Sequence, residues 1–260
     1  MVLRSGRPAE ANVNMCQFQD GYPTLPTMSV ERVAEHEDPA AAANDAATDP
    51  VTGSVRRVPT QQRSRRRVEA ILDAAERLVL ADGVEALTTR AIAAEAGVPV
   101  ASLYQYFGDK EAVLLALAGR DMEEMDAQVA EDLAGLEVLS ISAIVRTVMG
   151  AFVTVYRRRP AFVEIYLRGR TNVAVARFGR AHNVRVADAL RAFGLERGLC
   201  REDLTLDAAT LAVEVGDRVF QLAYESDPDG DPALVEEGIT MMTAYLERYA
   251  TEDGLRGVPA

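Results

Sequence analysis

Cysteine, histidine, tryptophan and lysine are nearly absent from this 260-residue sequence, which has two cysteines, two histidines, one lysine and no tryptophan. Cys16 and Cys200 lie in regions of different character, so we expect no structural disulfide. His36 and His182 have no cysteine or second histidine near them in the sequence, and zinc sites need such clusters. We therefore expect neither a bound metal nor a cofactor.

Patterns typical of membrane proteins, enzymes and sheets are also missing. No apolar run reaches the roughly 18 residues of a membrane span, and the N-terminus lacks the apolar segment of a signal peptide. The sequence has no phosphate-binding glycine loop, no nucleophile elbow and no ordered set of Ser, His and Asp. No run alternates in the manner of a strand. We therefore expect a cytoplasmic, all-α protein without membrane association, enzymatic activity or catalytic residues.

The formal charge of −12 is distributed unevenly along the chain. Residues 1–55 carry −5, residues 56–110 carry +2 and residues 111–260 carry −9. The middle part contains an arginine cluster, which is either a solvated helix face or a surface that attracts DNA phosphates. This cluster consists of Arg56, Arg57, Arg63, Arg65, Arg66 and Arg67.

The first 55 residues predict disorder, because they are rich in Ala, Asp, Glu, Asn and Pro. Phe18 and Tyr22 are their only aromatic residues, and no hydrophobic period is sustained. This segment is either a flexible N-terminal extension or a stretch that precedes the true start, for example at Met28.

The segment from Thr88 to Lys110, TTRAIAAEAGVPVASLYQYFGDK, has the spacing of a helix-turn-helix. Thr88 is a suitable N-cap for the first helix, and Gly97 tolerates the left-handed backbone that ends it. Val98 and Pro99 then form the turn before a second, recognition helix. The alternative is an ordinary helical hairpin with a glycine turn.

The flanks of this segment extend the pattern into a family resemblance. Upstream, residues 60–82 predict a long helix that ends at Asp82-Gly83, and downstream FGDKEAVLLALAGR begins a helix with Asp109 as its N-cap. Residues 63–117 thus resemble the DNA-binding end of the tetracycline-repressor (TetR) family. We expect a DNA-binding domain at 56–110, a ligand-sensing and dimerisation domain at 111–250 and a flexible tail at 251–260.

The resemblance implies roles for residues of the DNA-reading helices. Thr89 matches a phosphate-binding position, whereas Arg90 either reaches a guanine edge, clamps a phosphate or faces solvent. Tyr106 either binds phosphate or belongs to the core. The expected DNA-binding residues are Thr89, Arg90, Val100, Ala101, Ser102, Tyr104, Gln105, Tyr106 and Lys110. Sequence preference is expected from Arg90, Val100, Ala101, Ser102 and Gln105.

The remaining sequence predicts helices of a sensor domain. After the reading helices at 88–96 and 100–107 we expect helices at 109–134, 139–157, 160–169, 172–197, 205–226 and 231–250. Methionines and aromatic residues at helical spacing either line a ligand pocket or fill the core. The pocket candidates are Met122, Met149, Phe152, Tyr156, Phe162, Tyr166, Phe178 and Tyr224. Polar candidates for orienting a ligand are Asn172, His182, Asp217 and Gln221.

The last two helices predict a homodimer interface within residues 205–250, because their apolar faces are broader than one core requires and the family uses this pair as a four-helix bundle. Each candidate either meets the partner subunit or faces its own core. The candidates are Leu211, Val215, Val219, Leu222, Met241, Met242, Tyr245 and Leu246.

These observations predict a ligand-responsive transcriptional regulator, in the first instance a repressor, that binds a palindromic double-stranded DNA operator as a homodimer. Its partners are the operator and a small-molecule effector of unknown identity. The alternatives are a TetR-type activator, and a helical module that binds small molecules or proteins without specific DNA recognition.

Overall fold

The computed structural model describes residues 58–168 and 172–260. The expected disordered extension at 1–55, together with Arg56 and Arg57, lies outside these residues. The described chain is helical, which confirms the all-α prediction. Its helices are α1 (Val58–Asp82), α2 (Thr89–Glu95), α3 (Val100–Leu103), α4 (Lys110–Ala134), α5 (Ile141–Arg158), α6 (Pro160–Phe162), a π-helical segment (Val163–Arg168), α7 (Val173–Glu196), α8 (Leu206–Ala223), α9 (Pro232–Glu247) and α10 (Glu252–Arg256).

Local signals in the sequence set the helix boundaries of the DNA-reading unit. The Thr88 hydroxyl accepts a hydrogen bond from the Ala91 amide at 3.1 Å, and the Asp109 carboxylate accepts one from the Ala112 amide at 2.8 Å. Each cap satisfies an amide that the first turn of a helix leaves without a partner. Gly97 has a φ of +65°, as the predicted glycine turn requires.

The reading unit, α1–α3, packs against the first half of α4 around a buried cluster. Each of the three helices contributes a fully buried residue: Ile71 of α1, Ile92 of α2 and Leu103 of α3. Two sensor residues, Ala161 of α6 and Ile165 of the π segment, belong to the same cluster. The reading unit therefore shares its core with the sensor domain.

The sensor core is formed by the second half of α4 with α5, α8, α9 and the π segment. Its centre is aromatic: the Tyr156 ring lies 5.9 Å from Phe162, 5.2 Å from Phe220 and 5.3 Å from Tyr224. Such edge and offset contacts stabilise a core beyond simple area burial. Across the described residues, no helix is long and apolar enough to span a membrane.

Two helices differ from the prediction in length or in helix type. The recognition helix was expected at 100–107, but α3 ends at Leu103 and the chain continues in turns to Tyr106. The helix expected at 160–169 begins as a single α-turn and continues as the π segment. Across this segment the Tyr166 and Phe162 rings stack, with centroids 5.2 Å apart and nearly parallel planes.

Residues 251–260 differ from the flexible tail that we expected. Thr251 caps α10 by accepting a hydrogen bond from the Gly254 amide at 3.1 Å. The chain then turns at Gly257, where φ is +84°, and β2 (Val258–Pro259) pairs antiparallel with β1 (Val138–Leu139). The local sequence predicts neither strand, because each has two residues and its partner lies far away in the chain.

Gly254→Ala tests whether this tail is packed. Gly254 is buried, and a Cβ there overlaps the Leu199 carbonyl oxygen, which is backbone and cannot rotate away. We expect the free energy of unfolding, measured by urea denaturation, to fall by about 1–3 kcal/mol. Gly150→Ala is the control, because Gly150 lies in α5 with nothing near its Cβ position and should gain about 0.5–1 kcal/mol. An equal change in the free energy of unfolding for both variants would show that the tail does not pack against Leu199.

Candidate nucleic-acid interface and ligand cavity

The five residues that we expected to carry sequence preference are accessible on the two reading helices and the turn that follows them. Arg90, Val100, Ala101 and Gln105 are exposed, and Ser102 is half-buried.

Two hydroxyl groups join the two reading helices. The Thr89 and Tyr104 hydroxyl oxygens lie 3.1 Å apart, although these residues are 15 positions apart in the sequence. Tyr104 keeps 53% of its surface exposed. In this contact one hydroxyl donates to the other, which leaves one hydroxyl proton that can be donated to a phosphate oxygen.

Tyr106 has a different environment from Tyr104. It is half-buried, and its hydroxyl oxygen accepts a hydrogen bond from the Ser64 hydroxyl of α1 at 3.3 Å. This contact favours the structural alternative for Tyr106 over phosphate binding. Sequence reasoning missed Ser64, since no local pattern links α1 to the end of the recognition helix.

Charged residues flank this surface on two sides. Arg63, Arg65, Arg66 and Arg67 are exposed on the first turns of α1. Lys110, half-buried at the first position of α4, stands where the helix dipole also favours an anion. These side chains place positive charge at the first turns of α1 and of α4.

The reading unit is joined to the sensor by ion pairs from α4. Arg120 donates to Asp73 at 2.8 Å and to Glu76 at 2.6 Å, and both acceptors belong to α1. The Arg120–Glu76 pair is partly buried and is therefore less weakened by solvent than the Arg120–Asp73 pair, whose carboxylate is exposed.

A second arginine enters the same junction from the break between α5 and α6. Arg159 donates to Glu124 of α4 at 2.6 Å and lies 3.8 Å from both Glu76 and Asp121. Asp121 is fully buried, and its Oδ2 has no hydrogen-bond partner within the described chain. Burial raises the pKa of Asp121 to about 6, although Arg120 and Arg159 oppose this shift.

A cavity of about 110 Å³ lies in the sensor domain between α5, α7, α8 and α9. Two of the predicted pocket residues, Met149 and Phe152, line it. The other six, which pack elsewhere in the domain, are Met122, Tyr156, Phe162, Tyr166, Phe178 and Tyr224. These side chains fill the core and the α4–α7 contact rather than this cavity.

Small residues of α7 and α8 line part of the cavity. On α8, Ala209, Ala212 and Gly216 lie on one face at helical spacing, and Ala187 and Gly194 of α7 also line it. The two glycines are closely packed, because a Cβ would lie 3.0 Å from the Met242 sulfur at Gly216 and 2.8 Å from the Cys200 sulfur at Gly194. This repeated spacing of small residues is the signal that the emphasis on methionine and aromatic residues overlooked.

The four predicted polar candidates have distinct contacts. Asn172 caps α7 by accepting hydrogen bonds from the Ala174 and Val175 amides, and His182 contacts Asp126 at 2.9 Å. Asp217 lines the cavity and accepts a hydrogen bond from Gln221 at 2.8 Å.

Comparisons with known proteins place the chain in a family. Residues 71–117 match the family of bacterial regulatory proteins, tetR family, and residues 140–246 match the tetracyclin repressor-like C-terminal domain. The HTH-type transcriptional repressor KstR of Mycolicibacterium smegmatis is 30% identical over 143 residues, which are 55% of this chain and 68% of KstR. The protein belongs to the TetR family. It is therefore a helix-turn-helix regulator, which confirms the predicted resemblance.

Solved structures of TetR-family proteins share the fold. A regulator from Streptomyces coelicolor matches with a TM-score of 0.59 and 32% identity, over 70% of this chain and 99% of that one. SmeT, the repressor of the Stenotrophomonas maltophilia multidrug efflux pump SmeDEF, matches with a TM-score of 0.51 and 23% identity, over 74% of this chain and 94% of SmeT. The latter similarity supports the fold alone.

In this TetR-family protein the structure separates the predicted interface residues into two groups. Leu211, Leu222 and Met241 are exposed, with 53%, 42% and 52% of their surface accessible. Val219 and Met242 are buried in the subunit's own core. The partly buried members are Val215, Tyr245 and Leu246, of which Leu246 lines the cavity.

Asp217→Asn should stabilise the protein at neutral pH. Burial raises the pKa of Asp217 from its usual 3.8 to about 6, and the charge of Glu214 raises it further, while hydrogen bonds from Tyr166 and Gln221 oppose the shift. Between pH 3.8 and about pH 6 the folded chain therefore binds more protons than the unfolded chain. The free energy of unfolding falls as the pH rises through this range. We expect the variant to be more stable by about 2–3 kcal/mol near pH 7.5 and by roughly half of that near pH 5.

Urea denaturation at the two pH values measures this difference. Asp188→Asn, at an exposed position of α7, is the control and should show no change with pH. A destabilised Asp217→Asn protein at pH 7.5 would contradict the account of a buried, poorly solvated carboxylate.

Proposed function

We propose that this TetR-family protein is a ligand-responsive repressor that acts in the cytoplasm by binding a palindromic operator as a homodimer, without enzymatic activity. The observation that carries the proposal is the exposed surface of Arg90, Val100 and the Thr89–Tyr104 hydroxyl pair. This surface is fixed to the same helix, α4, that forms one side of the sensor core. The description of KstR as a transcriptional repressor supports the choice of repressor.

The dimer is supported by the exposed apolar stripe of Leu211, Leu222 and Met241 on α8 and α9. These two helices pack closely at Gly238, because a Cβ there overlaps Val219. A closely packed helix pair with an apolar outer face suits an isologous four-helix contact. The two reading units must then match half-sites about 34–36 Å apart.

Ligand response is supported by a continuous route from the cavity to the reading unit. Phe152 of α5 lines the cavity, and α5 ends at the break where Arg159 contacts Glu124 of α4 and lies near Glu76 of α1. A ligand that displaces α5 changes these contacts and thereby the position of the reading unit. The free energy by which the ligand shifts the equilibrium between the two positions of the reading unit equals its difference in binding free energy for them.

DNase footprinting of the region next to the protein's own gene tests this function. We expect an inverted repeat to be protected, and light scattering should give a dimer mass for the free protein. Absence of a protected repeat at any protein concentration would contradict the proposal, and increased transcription from a protected site would identify an activator instead.

Arg90→Ala and Tyr104→Phe should weaken DNA binding in different ways. Loss of the Arg90 guanidinium should cost about 1–3 kcal/mol and relax preference at one position in each half-site, because a guanine edge loses its bidentate donor. Loss of the Tyr104 hydroxyl should weaken binding to all DNA sequences alike, by about 0.5–1.5 kcal/mol. Gel shifts with a set of single-base operator variants measure both effects.

The Thr89–Tyr104 contact adds a further expectation to this comparison. Because the two hydroxyls act as a pair, Thr89→Val and Tyr104→Phe together should cost less than the sum of the single changes. An unchanged ranking of operator variants with Arg90→Ala would show that Arg90 does not read a base.

A further inference from the structure

The cavity is almost wholly apolar, and its lining contains two charged residues, Arg191 and Asp217. Its walls consist of aliphatic side chains of α5, α7, α8 and α9, together with Phe152 and Phe220. An apolar lining with few polar groups is typical of small-molecule sites, where the polar groups fix the orientation of the ligand.

Arg191 has a structural partner. Its Nε donates to the Leu204 carbonyl at 2.6 Å and so holds the chain between α7 and α8. Leu204 precedes α8, whereas Asp217 lies roughly 16 Å along that helix from its first residue, Leu206. The two charged groups therefore mark different ends of the cavity.

Asp217 accepts a hydrogen bond from a neutral group, because Gln221 donates to its Oδ2 at 2.8 Å. No ion pair within residues 62–168 and 172–260 involves Asp217. Glu214, one helical turn earlier, accepts from Asn183 at 3.2 Å and adds a second negative charge.

His182 is close enough to Asp217 to interact with it electrostatically, but it has another partner. Its Nε2 lies 2.9 Å from the Asp126 carboxylate. This part of the domain thus has three carboxylates for one histidine, those of Asp126, Glu214 and Asp217. Buried charges in proteins are normally paired, and a fixed carboxylate without a cation favours a ligand that supplies one.

We propose that the cavity binds a lipophilic cation, whose ammonium group pairs with Asp217 and whose apolar body lies along α5 and α8. This inference rests on the proposed function only in treating the ligand as the effector. A carboxylate ligand meets repulsion from Asp217 and Glu214. An alcohol gains a hydrogen bond to Asp217 without the stronger charge-assisted contact.

Isothermal titration calorimetry of the full-length protein with three probes of equal chain length tests the proposal. The probes are butylamine, butan-1-ol and butanoate at pH 7.5, whose size suits a cavity of about 110 Å³. We expect butylamine to bind at least about tenfold more tightly than either of the others. Asp217→Asn should remove this preference, and it should fold, since it relieves a buried charge.

Asp188→Asn serves as the matched control and should keep the full preference for butylamine, because Asp188 is exposed on α7 and does not line the cavity. Equal or tighter binding of the alcohol or the carboxylate would overturn the proposal. So would an amine preference that survives Asp217→Asn.

Gel shifts on the same samples separate this inference from the proposed function. Butylamine binding that depends on Asp217 supports the cation site. This holds even where butylamine leaves the operator complex intact, a result that contradicts ligand-induced release from DNA. Operator binding without an Asp217-dependent preference supports the DNA-binding function and overturns the cation site.

Discussion

One helix, α4, belongs to both hydrophobic cores, and the arrangement of the whole molecule depends on it. Val113, Leu114 and Leu117 are buried with the reading helices, whereas Met122 and Met125 are buried in the sensor core. The helix has 25 residues and so extends about 37 Å. A continuous helix buried at both ends cannot move in one domain without moving in the other, so it couples the two domains mechanically.

Ion pairs at the middle of α4 connect this helix with α1 and with the end of α5. Arg120 ties α4 to α1, and Arg159 ties the end of α5 to α4 beside the buried Asp121. Asp121 has one oxygen without a partner within the described residues, so the junction is held by charge rather than by complete hydrogen bonding. Small displacements of α5 therefore change the energy of the junction that positions the reading unit.

Local chemistry explains which parts of this molecule the sequence predicts. Thr88, Gly97 and Asp109 have roles that depend on neighbouring residues only, and their predicted cap and turn functions are confirmed. The pairing of β1 with β2 and the contact of Tyr106 with Ser64 join distant segments, so no local pattern reports them. The lining of the cavity also depends on contacts between distant segments: Met149 and Phe152 line it, whereas Tyr156 packs in the aromatic core.

Urea-dependent hydrogen–deuterium exchange of the full-length protein tests the shared-core account most directly. If α4 and its ion pairs make the two domains one mechanical body, the amides of α1–α3 and those of α5–α9 lose protection at the same urea concentration. Loss of protection in α1–α3 at a clearly lower concentration, while α5–α9 remain protected, would show that the reading unit moves independently of the sensor and would contradict the account.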